Sequence, residues 1–229
     1  MAESPVGARQ VGRRGMVVCA ALIVPPCSSV YTPQELANKV VALDYGNGTS
    51  YAGLQMLESA MPREAVKTCS FDANPAKRYA ALMAGEFAAT VLQEPWITVA
   101  EKAGCRLIST TFFYGTWVAD TVVEAETYAA FVRATTEAVR RIKADTRRYV
   151  DYYKRDYVGY PEVDGLTPYD FNVGRIQVKA PAPIPEDEAR WDWEWMASWG
   201  LLSGEFDATS QINDAVQQVA HAGRLNDAV

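Results

Sequence analysis

Val40-Val41-Ala42-Leu43 runs directly into Asp44-Tyr45-Gly46-Asn47-Gly48-Thr49-Ser50, and that turn runs directly into a segment from Tyr51 to Ala60. The first stretch is a short apolar run with β-branched content, which reads as a buried strand. The last carries Leu54, Met56 and Leu57 at helical spacing. Between them, two glycines and several small polar residues supply the backbone freedom of a tight connection. The unit is strand, glycine-rich turn, helix. Its turn sets backbone N–H groups and small hydroxyls at a helix N-terminus, where the helix dipole favours an anion or a polar head group. Gly46, Asn47, Gly48, Thr49, Ser50 and Tyr51 are therefore candidate ligand contacts. The turn lacks the lysine of a P-loop and the third glycine of a dinucleotide fingerprint. The alternative reading is structural, a connection that needs glycine only for its backbone angles.

The same alternation continues on both sides. Val66 to Phe71 reads as extended, Pro75 to Ala84 as a helix stopped by Gly85, and Phe87 to Leu92 as a buried strand entering Gln93-Glu94-Pro95-Trp96. Ile97 to Ala103 is helical and closes at Gly104, and Arg106 to Phe113 returns as a strand. Strands alternating with helices of about ten residues predict an α/β fold with mostly parallel sheets flanked by helices. In such sheets ligands bind beyond the carboxyl ends of the strands. Glu94 and Trp96 lie just past one such end, as the glycine turn lies past another. Upstream, Thr32, Pro33 and Glu35 start a short helix. Arg13-Arg14 followed by the apolar run Met16 to Val24 resembles a signal-peptide core, but the run stops at Pro25-Pro26 and is far shorter than the roughly 20 residues that span a bilayer. A buried strand is the preferred reading.

From Thr121 the chain becomes helix-rich. Glu124 to Lys143 is predicted as a long amphipathic helix, and a second helix carries Tyr149, Tyr152, Tyr153 and Tyr157. Residues 159–170 form a loop, and Pro181 to Pro185 a stiff extended linker. Glu186 to Trp199 is helical, with Trp191, Trp195 and Trp199 on one face as expected packing residues, and Ile212 to Ala220 forms a last short helix.

Composition removes several function classes. A formal net charge of -6 argues against a nucleic-acid surface, which needs clustered cations. Arg140, Arg141, Lys143, Arg147 and Arg148 alternate with Glu137 and Asp145, as on a solvated helix face. The cysteines Cys19, Cys27, Cys69 and Cys105 show no metal-ligand spacing, and His221 is the single histidine. No metal or cofactor is expected. Disulfides stay open as an alternative to buried thiols.

Several segments together resemble the nitrate/sulfonate/taurine family of ABC-transporter substrate-binding proteins, and with it the thiamine-pyrimidine precursor binders. The family's acidic-Leu-x-Gly-Lys-x-Val phrase is similar to Glu35-Leu36-Ala37-Asn38-Lys39-Val40, with Asn38 near the glycine. Its Gly-x-Gly-Ser/Thr turn matches Gly46-Asn47-Gly48-Thr49, and its Leu-x-x-Gly to Glu-Pro-Trp phrase matches Leu82 to Ala89 and Glu94-Pro95-Trp96, with Ala88 in place of aspartate. Trp195-Met196 and Gly200-Leu201 match a later phrase, so the resemblance covers about residues 15–215. It implies a two-lobed, type II periplasmic-binding-protein-like fold whose first lobe lacks an opening strand, helix and strand. The expected lobes are residues 1–33 with 113–229, and 34–112. Self-association is expected to complete the shortened lobe.

The resemblance implies non-catalytic capture of a small polar or anionic molecule for the membrane subunits of an ABC importer, in the periplasm or outside the cell. Trp96 would wall the site, Glu94 would hold an amine or pair internally, and Phe112, Tyr114 and Trp117 would line the crossing between lobes. His221 is expected to lie apart. The alternatives are an enzyme on the same scaffold, similar to a pyrimidine synthase or a sulfinate desulfinase, and a module with a vestigial cleft.

Overall fold

The computed structural model describes residues 7–222. Its strands are β1 (Arg9–Val24), β2 (Val40–Leu43), β3 (Lys67–Ser70), β4 (Ala89–Leu92), β5 (Arg106–Ala119) and β6 (Gln177–Val178). Its helices are α1 (Gly48–Glu58), α2 (Pro75–Met83), α3 (Trp96–Lys102), α4 (Ala125–Ala144), α5 (Pro161–Asp164), α6 (Glu186–Ser198), α7 (Ala208–Gln211) and α8 (Asp214–His221). The strands form a sheet ordered β3-β2-β4-β1-β5, with β6 beside β1. The chain divides into two units. An α/β unit holds Val17–Phe113 and residues 144–177, and a helical unit holds residues 7–16, Tyr114–Lys143 and residues 178–222. The strands β1 and β5 each contribute to both.

In the α/β unit, β2 runs parallel to β3, from Val40 opposite Lys67 to Leu43 opposite Ser70. It also runs parallel to β4, with Val41 opposite Ala89 and Ala42 opposite Thr90. β1 is antiparallel to β4, with Leu22 opposite Val91. All four residues of β4 are buried, as a strand covered on both faces requires. Its one polar side chain is satisfied, because the Thr90 hydroxyl donates to Ala42 O at 2.9 Å. Helix α1 reaches the strands through Gly53, where a β-carbon would stand 2.6 Å from Val91 Cγ2 and 3.0 Å from Leu43 Cδ2. The core joins Ile23, Ala42, Leu82, Leu92, Trp96 and Ile97, all essentially removed from water.

Local signals act as their chemistry dictates. Asn47 caps α1 and Asn74 caps α2, each accepting from a first-turn N–H. Asn38 stands at φ 62°, the left-handed region that glycine and asparagine tolerate best, so asparagine can replace the glycine of the related phrase.

Several elements differ from expectation. β5 does not end at Phe113 but runs on to Ala119, because Thr116, Trp117 and Val118 prolong its β-branched and aromatic content. The second helix, Thr146–Tyr157, is a 3-10 helix, in a stretch crowded with the weak α-formers Tyr and Asp. The loop at 159–170 contains the one-turn helix α5. On α6 the buried tryptophan is Trp193, not the expected stripe; Trp191 is 58% exposed. Ala189 and Trp193, spaced i and i+4, set the buried face of that helix.

Two small cores lie among the described residues of the helical unit. Val11, Tyr128, Val132 and Val216 form one, and Ile184, Ala189 and Ile212 the other.

Candidate functional site

The chain leaves β2 for β3 on one side and returns to β4 on the other, so the sheet order reverses at the β2–β4 boundary. A crevice opens outside the carboxyl ends of parallel strands at such a reversal. The residues that follow β2 there are Asp44 to Ser50, and the residue that follows β4 is Gln93.

Those two ends touch. The Thr49 hydroxyl donates to Gln93 Oε1 at 3.3 Å. Asn47 holds the turn from inside: its Oδ1 accepts from Ser50 N at 3.2 Å, and its amide nitrogen donates to the Asp44 carboxylate. Gly46 takes φ +124°, a conformation other residues avoid. Gly48 lies under Phe113, whose Cε2 would stand 2.5 Å from any β-carbon there. The N–H groups of Gly48 and Thr49 open α1 and have no acceptor within the helix. A turn built this way presents backbone donors and the positive end of a helix at one place.

The residues behind the turn are polar and buried. Arg78 donates to Asp72 O at 2.7 Å and Ala73 O at 2.9 Å, and approaches Asp44 Oδ2 at 3.8 Å. Burial pulls its guanidinium below the usual range. Tyr157 reaches Gln93 through a side-chain hydrogen bond, while burial pushes its phenol up.

The structure thus brings Gly46, Asn47, Gly48, Thr49, Ser50 and Tyr51 together, with Thr49 and Ser50 buried and Gly46 exposed. Glu94 points inward. Its Oε1 accepts from Arg175 Nε at 2.8 Å and its Oε2 accepts from Thr98 Oγ1 at 2.8 Å and Thr98 N at 3.2 Å. Trp96 is also inside, ringed by Tyr79, Tyr157 and Tyr160 at centroid distances of 5.6, 5.9 and 5.6 Å. Phe112 is exposed, whereas its neighbour Phe113 faces the turn. Tyr114 belongs to the helical unit, where its hydroxyl accepts from Lys179 Nζ at 2.7 Å. His221 is there too, its ring 6.5 Å from that of Tyr128.

Sequence reasoning passed over Asp44, Arg78, Gln93, Phe113 and Tyr157. Two of them had a signal. Gln93 is the first residue past β4, and Phe113 follows from the two-residue period of a strand once Gly48 is placed beneath it. A cleft of about 510 Å³ in the helical unit, lined by Arg9, Ile184, Glu186, Thr209, Asn213 and Asp214 among others, includes none of the expected contacts.

All four cysteines are free. Burial pushes the Cys19 thiol up to about 11 and raises those of Cys69 and Cys105. Iodoacetamide at neutral pH should therefore modify exposed Cys27 and leave Cys19 and Cys105 intact until the chain unfolds, because the thiolate is the reactive form. Peptide mass spectrometry reads the result, and early labelling of Cys19 would contradict the packing around it.

No protein-family model and no curated protein sequence matches the chain. Solved structures do. The periplasmic sulfonate-binding protein SsuA from Methylobacillus flagellatus KT aligns over 96% of this chain and 71% of its own, at 17% identity and a TM-score of 0.67. The alkanesulfonate-binding protein SsuA from Xanthomonas axonopodis pv. citri, bound to MOPS, aligns over 90% of this chain and 74% of its own, at 15% identity and 0.68. This chain has the fold of the periplasmic sulfonate-binding proteins. The desulfurization enzyme DSZB shares that fold, over 96% of this chain and 81% of its own, at 13% identity and 0.63. In the sulfonate-binding-protein fold as this chain builds it, the strand-order reversal coincides with the glycine turn.

Proposed function

We propose that the chain is the solute-binding component of an ABC importer, working in the periplasm with the importer's membrane subunits. Its ligand is a small organic anion, with sulfonates the leading class, held at the Gly46–Ser50 turn. The observation that carries this reading is the meeting of a helix N-terminus with the β2–β4 reversal, joined by the Thr49–Gln93 hydrogen bond. Likeness to two proteins named for binding sulfonates supports the ligand class. The Gly48 and Thr49 N–H groups donate to the anion, and Phe113 beside Gly48 offers an apolar surface to its carbon portion. Glu94 and Trp96 act from behind, fixing the start of α3.

Calorimetric titration with ethanesulfonate, taurine, nitrate and a pyrimidine tests it. At least one sulfonate should bind, and Thr49→Val, which keeps the volume and removes the hydroxyl that ties the turn to Gln93, should bind it about 2- to 13-fold more weakly. That range corresponds to the loss of one neutral hydrogen bond that positions the turn, about 0.5–1.5 kcal/mol. A folded Thr49→Val that binds like the parent protein would sink the assignment of the turn.

The likeness to a desulfurization enzyme favours one second reading, catalysis on the same scaffold. Raised thiols at Cys19, Cys69 and Cys105 weigh against a cysteine nucleophile at those positions. Sulfite release from an aryl sulfinate would support it over simple capture.

A further inference from the structure

Arg13 and Arg14 enter β1 side by side, and the reading above uses neither. Their surroundings differ. Arg13 is ion-paired with Glu188, and its guanidinium lies 4.8 Å from the centre of the Tyr114 ring. The Arg14 side chain has no hydrogen bond or ion pair to any described residue, and its Nε is buried. Its guanidinium fills the space a side chain at 115 would occupy, so Gly115 is what admits it. Alternate residues of a strand share a face, which puts Trp117 on the same side of β5 as Gly115 and Arg14. The Trp117 indole N–H is also buried without an acceptor among the described residues, and its ring stands edge-on to Phe131 of α4 at 5.1 Å. A third buried polar atom without a partner there, the Tyr128 hydroxyl, sits against Gly12, two residues before Arg14.

Nothing on α4 answers these donors. Its carboxylates are Glu126, which is exposed, and Glu137, whose oxygens accept from Arg140 and Arg141. Buried donors are almost always matched, and an unmatched donor on a charged group is costlier than on a neutral one. Positions 115 and 117 stand roughly 7 Å apart along β5, the rise of two strand residues, and the Arg14 guanidinium lies over the first of them. Two contacts of about 2.9 Å to different oxygens of one small anion bridge that distance.

We infer that Arg14 and Trp117 form an oxyanion-binding site in the helical unit, the guanidinium supplying charge, the indole N–H a second hydrogen bond and the Tyr128 hydroxyl a third. The ligand chemistry is a small group bearing two or more oxygens and a negative charge, as in a sulfonate or a sulfate. The site lies wholly within the helical unit and does not rest on the glycine-turn reading.

The test is nitrogen–proton NMR of the tryptophan indoles during titration with methanesulfonate and, in parallel, sodium sulfate. Trp117→Phe identifies the resonance. That resonance should shift saturably, Arg14→Met should weaken the response at least tenfold, and Thr49→Val should leave it unchanged. Saturation by sulfate as well as methanesulfonate assigns inorganic oxyanions to the site, and saturation by methanesulfonate alone assigns organic ones. In chloride buffer without either anion, Arg14→Met should unfold at the same temperature as the parent protein or higher, since it removes a buried Nε donor that has no partner among the described residues. An unmoved Trp117 resonance with both anions, or an Arg14→Met protein less stable in chloride, would overturn the inference and make Arg14 a packing residue.

Discussion

Trp96→Ala is expected to lower stability by about 3–5 kcal/mol, the range for deleting a large buried aromatic side chain. Trp96 is 1% exposed and packs in the main core of the α/β unit between Tyr79, Tyr157 and Tyr160. Truncation removes the ring and leaves a cavity that three tyrosines on different elements cannot all close. At roughly 2–4 °C per kcal/mol for a chain of this size, the melting midpoint should fall by about 6–20 °C. Trp96→Phe keeps a ring in the nest and should lose less. Thermal unfolding followed by circular dichroism decides it: a fall under about 3 °C for the alanine variant would mean that Trp96 is not a core residue.

The second large effect concerns a buried charge. Arg175 and Glu94 are 8% and 7% exposed, and their ion pair at 2.8 Å is extended by Glu101, which accepts from Arg175 at 2.7 Å. Burial opposes the charged guanidinium, but the bonds to Glu101 and Glu94 outweigh it and raise its pKa. Arg175→Met should cost about 3–5 kcal/mol, because it leaves the Glu94 carboxylate buried and unpaired. The double variant Arg175→Met, Glu94→Leu should regain most of that loss, since replacing both members by apolar groups is often close to neutral. Urea unfolding of the two single variants and the double one measures the coupling. Additive losses would show that the pair does not act as a unit.

The sequence made the α/β unit readable where local chemistry and packing agree. Asn47 and Asn74 cap helices, Gly85 and Gly104 end them, and the apolar runs of β2 and β4 are buried apart from Val40. Legibility failed where tertiary contact decides. Trp191, Trp195 and Trp199 form a regular stripe, yet the helix turns Trp193 inward, because its buried face is set by what packs on α6 and not by residue type. Phe112 and Phe113 are chemically identical, and only strand register selects the one that covers Gly48. Glu94 reads equally as an amine contact or an internally paired carboxylate until Arg175, 81 positions away, is known to hold it. The glycine turn was legible as a turn with free donors. Its partner Gln93 was not, since the Thr49–Gln93 bond spans 44 positions.

The place of β1 in the sheet has a bearing on how the protein is made. Its segment from Val17 to Val24 is buried throughout, yet its pairing partner on β4 comes much later in the chain: Ala21 waits for Leu92. At about 5–20 residues per second, Leu92 leaves the ribosome roughly 4–14 s after Ala21. During that interval the apolar run from Val17 to Val24 is newly synthesised and without its neighbour. Nascent chains of this protein should therefore depend on chaperone cover early in translation, and slower synthesis should lower the soluble yield.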